Sequence, residues 1–198
     1  MIGIGNLTEL THADTAGMNA LLFGIASELE INYALCTQVS EHCNKAIIEG
    51  NFARRIMHTT KNYNMPPKDI SNKLLGLHER KPFPYTTEEL KNIWSNVKDK
   101  NYRIYVNEDG IHVFNNKNFY TETDAAEFYQ YLDIKNDDGH AYYLGMELER
   151  AQIAYQLGKR YDQDEMLKWG CSVEISDDDI MKFKKAGHTM RKIKDNDG

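Results

Sequence analysis

The order strand, helix, strand, helix within residues 1–57 constrains this chain more than any other feature. Met1-Ile-Gly-Ile-Gly-Asn6 is a short apolar alternation that reads as the end of a strand, and the polar run Thr8 to Thr15 follows it at once. From Thr15 onward, Met18, Leu21, Leu22, Ile25, Ala26 and Leu29 recur at three- and four-residue steps. That spacing predicts an amphipathic helix of about 14 residues. Tyr33 to Thr37 then reads as a buried strand, and Ser40-Glu41-His42 leads into a second helix carrying Cys43, Ala46, Ile47, Phe52, Ile56 and Met57. Two strands joined through one helix must lie parallel, with a right-handed crossover, and such sheets are normally covered on both faces. A pair that starts at residue 1 has a bare edge, and Ile2, Ile4, Leu7 and Leu35 lack strands to face. The chain is therefore expected to be the carboxy-terminal portion of a longer protein, or to bury this edge in a partner or another copy.

Composition narrows the class. The 198 residues are 41% hydrophobic and 11% aromatic, enough to build a core at this length. Lys plus Arg number 24 against 30 Asp plus Glu, a net charge of −6 without a long basic run. Nucleic acid is thus not an expected partner. The three cysteines, Cys36, Cys43 and Cys171, show no C-x-x-C spacing, so neither a disulfide framework nor a structural zinc site is expected. The longest apolar stretch, Met18 to Ile25, includes Asn19 and Gly24 and falls short of the roughly 20 residues of a membrane span. A cytoplasmic protein without a membrane partner fits these features.

All four prolines, Pro66, Pro67, Pro82 and Pro84, fall in one stretch, which makes residues 65–84 the expected linker, with room for a short helix only at Ile70 to Leu77. Beyond it, Thr86 and Glu89 form a capping box that opens a helix through Leu90, Ile93, Trp94 and Val97. Tyr102 to Val106 and Ile111 to Phe114 alternate around the turn Asn107 to Gly110, a hairpin, with a third strand expected near Phe119 to Thr121. Asp124 starts another helix through Phe128, Tyr131 and Leu132. A last helix runs from His140 to Leu157 with Gly158 as its stop. Residues 85–171 are thus an α+β domain with an antiparallel hairpin and packed helices. Residues 172–198 form a polar tail with a short helix from Ser176 through Phe183.

Two sets of residues carry candidate chemistry. In a parallel β/α array the loops after both strands emerge at the same carboxyl end, where ligands bind. This brings Asn6, Thr8, Glu9, His12 and Asp14 toward Thr37, Gln38, Glu41 and His42. An amide such as Asn6 donates and accepts at the edge of a heterocycle, and a carboxylate such as Glu9 takes a pair of N–H groups. The bland alternative makes Thr8, Thr15 and Ser40 helix caps and leaves the acids in solvated loops. Gly3 and Gly5 lack the third glycine of a dinucleotide fingerprint and are read as sites of close backbone packing. The second set lies on and after the last helix: His140, Glu147 and Arg150, with Tyr161 and Asp164. Glu147 and Arg150 share a face one turn apart, and spacing alone favours a solvated helix with intrahelical ion pairs. No H-x-x-x-H or H-E-x-x-H pattern occurs, so a metal site is not expected.

The runs Gly3 to Leu22, Ala34 to His42 and Ala53 to Met57 resemble the last two β/α units of the dihydropteroate synthase-related proteins of methanogenic archaea. The later run His140 to Gln152, ending in Tyr161 to Asp164, resembles the uncharacterised domain which that family appends to its barrel. The resemblance implies a pterin-binding TIM barrel of which residues 1–64 are the last two strands and their helices, a β-α-β-α remnant, followed by the appended α+β domain. It further implies a reduced pterin, of tetrahydromethanopterin or tetrahydrofolate type, bound once the barrel is complete. Enzymatic activity as a pterin-dependent transferase in one-carbon metabolism would then belong to the full-length protein, with an upstream barrel polypeptide as partner. Asn6 is the position matched to an asparagine that approaches the pterin in related methyltransferases. The serine-arginine-lysine signature of the synthases themselves is absent from Gly5 to Asp14. The alternative is a non-catalytic binding or assembly module whose α+β domain docks a protein.

Overall fold

In the computed structural model, which describes residues 1–134 and 137–173, the chain divides between Gly76 and Leu77. That point lies inside the expected linker. Ile70 to Leu77 holds no helix, and the segment from Trp169 belongs with the first unit rather than with the α+β domain. The helix expected from Ser176 through Phe183, with the rest of the chain from residue 174, lies outside the described residues.

In the first unit, β1 (Ile2–Gly3) pairs in parallel with β2 (Ala34–Leu35), Ile2 opposite Ala34 and Gly3 opposite Leu35. Both strands are shorter than their apolar runs suggested. The first gives way at Ile4 to α1 (Ile4–Leu10), so Asn6, Thr8 and Glu9 sit on a helix and not in a loop. The crossover helix α2 (Thr15–Glu28) has the expected length, and a 3₁₀ turn (Glu41–Cys43) precedes α3 (Ala46–Tyr63).

The face that α2 buries is not the one its periodicity favoured. Thr15, Asn19 and Ala26 are buried, whereas Leu21 and Leu29 are 65% and 66% exposed. Apolar residues occupy most of the circumference of α2, so the pattern could not select a face; the partner helix did. Packed α2 and α3 meet through small residues and one polar knot. Thr15 Oγ1 donates to Glu49 Oε2, and Asn19 Nδ2 donates to the Ala46 carbonyl at 3.1 Å and to Glu49 Oε2 at 3.4 Å. A buried carboxylate tolerates this position only because those donors replace water. Of the four residues expected to lack cover, Leu7 and Leu35 are exposed and Ile2 is half-buried, but Ile4 is buried by its own unit, because the chain turns into α1 at that residue.

In the second unit, α4 (Thr87–Ser95) opens with the expected capping box, both reciprocal bonds between Thr86 and Glu89 being present. β3 (Arg103–Asn107), β4 (Gly110–Phe114) and β5 (Phe119–Glu122) form an antiparallel meander in that order. Every residue of β4 is buried. One face presents Ile104, Val106, Ile111 and Val113 to α5 (Asp138–Leu157), whose Leu144, Leu148 and Ala151 are buried. The other presents Tyr105, His112, Phe114 and Phe119. Here the rings of Phe114 and Phe119 stack at 5.2 Å, and Trp94 of α4 meets Phe119 at 5.5 Å. The helix expected from Asp124 is a 3₁₀ stretch, Ala125–Gln130, capped by the Asp124 side chain on the Ala126 N–H. α5 ends at Gly158, whose positive φ of 59° is the left-handed stop that glycine accepts without strain.

Candidate functional site

The first candidate set gathers where the chain leaves β1 and β2. Glu9 Oε1 accepts from Val39 N–H at 2.7 Å and Glu9 Oε2 from Ser40 N–H at 2.9 Å, so a carboxylate on α1 clamps the loop after β2. The Ser40 hydroxyl, the Val39 and Ser40 N–H groups and, least, the Thr37 hydroxyl favour its ionised form and hold it down at about 2. Thr8 is buried, and its carbonyl accepts from His42 Nε2 at 3.0 Å and from the Cys43 thiol at 3.0 Å. A carbonyl only accepts, so His42 Nε2 is the donor of this contact. The His12 ring meets the exposed His42 ring edge-on at 5.8 Å. Asn6 is exposed one helical turn before Glu9. Asp14, Gln38 and Glu41 are exposed as well, and Asp14 occupies the N-cap position of α2 without a capping bond.

Glu9 and Thr8 hold the two connections together, and Asn6, His12 and His42 are exposed. Gly5 completes the junction: a Cβ placed on it would stand 2.2 Å from Thr37 Oγ1 and 3.0 Å from the Thr37 backbone N. Only glycine fits there, the close packing expected of it. Gly5→Ala is expected to lower the thermal midpoint of the chain and to shift the Thr37 and Val39 amide resonances, because backbone must move. An unshifted spectrum would show that the approach is not tight. Glu9→Gln is expected to accelerate hydrogen exchange at the Val39 and Ser40 amides. Since the carboxyl is depressed, its contribution is complete above the ordinary carboxylate range and is lost as pH falls toward about 2. Equal exchange in Glu9→Gln and wild type would remove the clamp.

The second set converges more tightly. Glu147 on α5 is fully buried, with Arg150 Nη1 donating to its Oε1, Tyr161 OH to its Oε2 at 2.8 Å and the Asp164 N–H to the same oxygen at 3.2 Å. Tyr143 OH donates to Asp164 Oδ1 at 2.9 Å and accepts from Gln163 Nε2 at 2.8 Å. Burial, and next to it the charge of Glu147, pushes the Tyr161 phenol up. Burial is also the main cause that raises Tyr143. His140 stands in the first turn of α5, its ring 6.0 Å from that of Tyr143, and its N–H is taken by Asp137. The solvated ion pair that spacing allowed is not what forms. Both Glu147 oxygens accept hydrogen bonds and the side chain is buried, so this carboxylate fastens the segment after Gly158 onto α5.

One buried group went unnoticed in the sequence. His112, flanked by Ile111 and Val113, is fully buried, with Nε2 at 2.7 Å from Asn107 Oδ1 and Nδ1 at 2.9 Å from Thr121 Oγ1. Its only sequence signal is a histidine at a core position of a strand buried on both faces. Among the described residues no cluster of three or more His, Cys, Asp or Glu side chains is arranged as metal ligands, and no helix is long and apolar enough to cross a membrane.

Comparison with known proteins adds one relative. The chain is 29% identical over 185 residues to an uncharacterized protein of Methanocaldococcus jannaschii, the match taking in 82% of this chain and 35% of that protein. The chain spans about a third of the length of that curated relative. No family model matches the chain, and no solved structure matches it.

Proposed function

We propose that the first unit contributes two β/α units to a larger pterin-binding parallel barrel, and that its outward groups Asn6, His12 and His42 contact a reduced pterin of tetrahydromethanopterin or tetrahydrofolate type. The observation that carries this reading is the Glu9 clamp, which draws the connections after β1 and β2 to one end of the parallel pair and leaves those three side chains facing outward. Carboxyl ends of parallel strands are where β/α folds place their ligands. Exposed Leu7 and Leu35, at 45% and 53%, support further strands or helices seated against this unit. The matched third of a longer relative supports the same arrangement. On this reading Asn6 offers a donor and an acceptor to the pterin edge, and the exposed His42 ring lies beside it.

The second unit is, on the same reading, a non-catalytic module, since the occupied oxygens of Glu147 favour a structural role for its densest ionisable cluster. Calorimetric titration of tetrahydrofolate into the barrel assembled with the polypeptide bearing the remaining β/α units tests the proposal. Asn6→Ala is expected to cost about 1 to 3 kcal/mol of binding, the range for a buried partner left unpaired. Affinity unchanged by that substitution, or no binding at all, removes the pterin reading.

A further inference from the structure

Away from the Glu9 clamp, a cleft of about 660 Å³ opens in the first unit between the second half of α2, the segment that leads into β2, and α3. Its volume falls inside the range of roughly 300 to 1,000 Å³ typical of small-molecule sites. Its lining mixes apolar and polar groups, with Ser27, Glu30 and Asn32 beside the apolar residues on the α2 side. Phe23 and Ala26 of α2, with Ile31 and Ala34, form an apolar wall. Across from them α3 presents Asn51, Arg54, His58 and Lys61, which recur at three- and four-residue steps and so form one stripe along the helix.

The cations of that stripe are not equivalent. Lys61 Nζ is held by the Ser27 carbonyl at 2.9 Å and by Glu30 Oε1 at 3.2 Å, which neutralises it at the mouth of the cleft. Arg54 donates to Asn51 Oδ1 at 3.0 Å, and among the described residues no carboxylate lies within ion-pair distance of it. Arg54, His58 and Lys61 are exposed along the open side of the cleft, while Ala46, Gly50, Ala53 and Ile56 form the buried face of α3. The Arg54 guanidinium is thus open to solvent beside the Asn51 amide that orients it, with no carboxylate partner among the described residues.

We infer that this cleft binds a small molecule carrying one phosphate or carboxylate group on an apolar body. Arg54 receives the anion in the bidentate geometry of its planar fork, and the wall formed by Phe23 and Ile31 covers the body. The lining of the cleft shares no residue with the groups offered to the pterin, Asn6, His12 and His42. The two sites are therefore separable by mutation, and this one does not depend on a completed barrel.

Calorimetric titrations of the full chain at low salt with inorganic phosphate, phenyl phosphate and benzoate test the inference. Phenyl phosphate is expected to bind about tenfold more tightly than inorganic phosphate, a difference of about 1.4 kcal/mol from the apolar wall. The tighter of phenyl phosphate and benzoate names the anionic group. Arg54→Gln, at an exposed position that leaves the fold intact, is expected to weaken binding at least tenfold. Ala34→Phe, which fills the apolar side while keeping every cation, is expected to weaken phenyl phosphate more than inorganic phosphate. Arg160→Gln in the second unit is the control and is expected to change nothing. Failure to bind any of the three probes overturns the site, as does equal affinity for the two phosphates or binding unaffected by Arg54→Gln.

Discussion

Arg150→Met is expected to destabilise the second unit by about 3 kcal/mol, the lower bound for removing one partner of a buried ion pair. The reason lies in what the substitution leaves behind. Glu147 is 1% exposed at its side chain, and Arg150 is 21% exposed, so the carboxylate has no water to replace the lost guanidinium. The Tyr161 hydroxyl and the Asp164 N–H still satisfy Oε2, which keeps the cost at the low end, while Oε1 is left bare. Glu147→Gln combined with Arg150→Met removes both charges and is expected to recover part of the loss, giving a coupling energy of about 1 kcal/mol or more in a double-mutant cycle. Urea titration of the four proteins measures it. A loss below about 1 kcal/mol for Arg150→Met alone is the behaviour of an exposed pair and would return this helix face to a solvated one.

How far the sequence carried this picture depends on whether a signal is local. The Thr86–Glu89 box, the hairpin around Gly110 and the Gly158 stop are set by a few adjacent residues, and each appears where expected. The strand at residues 1–6 was overextended, because a period-two run of apolar residues with glycines also suits the start of a short helix, and burial of Ile4 decides for the helix. The inward face of α2 was misread for a different reason. Its contact with α3 is built on Thr15, Asn19 and Glu49, and a buried polar knot leaves no trace in hydrophobic periodicity. Glu147 and Arg150 were found because helical spacing is local, yet their meaning rested on Tyr161 and Asp164 arriving from beyond the helix end. The stripe of Asn51, Arg54, His58 and Lys61 on α3 was not read from the sequence, because its place beside Phe23 and Ile31 shows only in the folded chain.

Below neutral pH the second unit is expected to lose stability through His112. This ring lies in the sheet face under α4, among Asn107, Thr121 and Phe119, and it is fully buried. Asn107 Oδ1 also accepts from the Asp109 N–H at 2.8 Å, and Asn107 Nδ2 donates to Thr87 Oγ1 at 2.9 Å, so the amide cannot turn to meet a change in the ring. Burial lowers His112 to about 4 from 6.5, with Asp109 opposing the shift and Lys91 adding to it. A histidine depressed in the folded state leaves the unfolded chain as the better proton binder between those two values. Stability is therefore complete above about pH 6.5, falls as pH drops through that window, and levels off below about 4. The whole change is on the order of 2 kcal/mol once solvent screening is allowed for. His112→Gln keeps an N–H for Asn107 and an oxygen for Thr121 but does not titrate, so its stability is expected to be flatter across the same window. The other histidines and the carboxylates are common to both proteins and cancel in the comparison. Urea midpoints for wild type and His112→Gln between pH 4 and pH 7 decide the matter: parallel curves would mean that protonation of His112 is not what the fold resists.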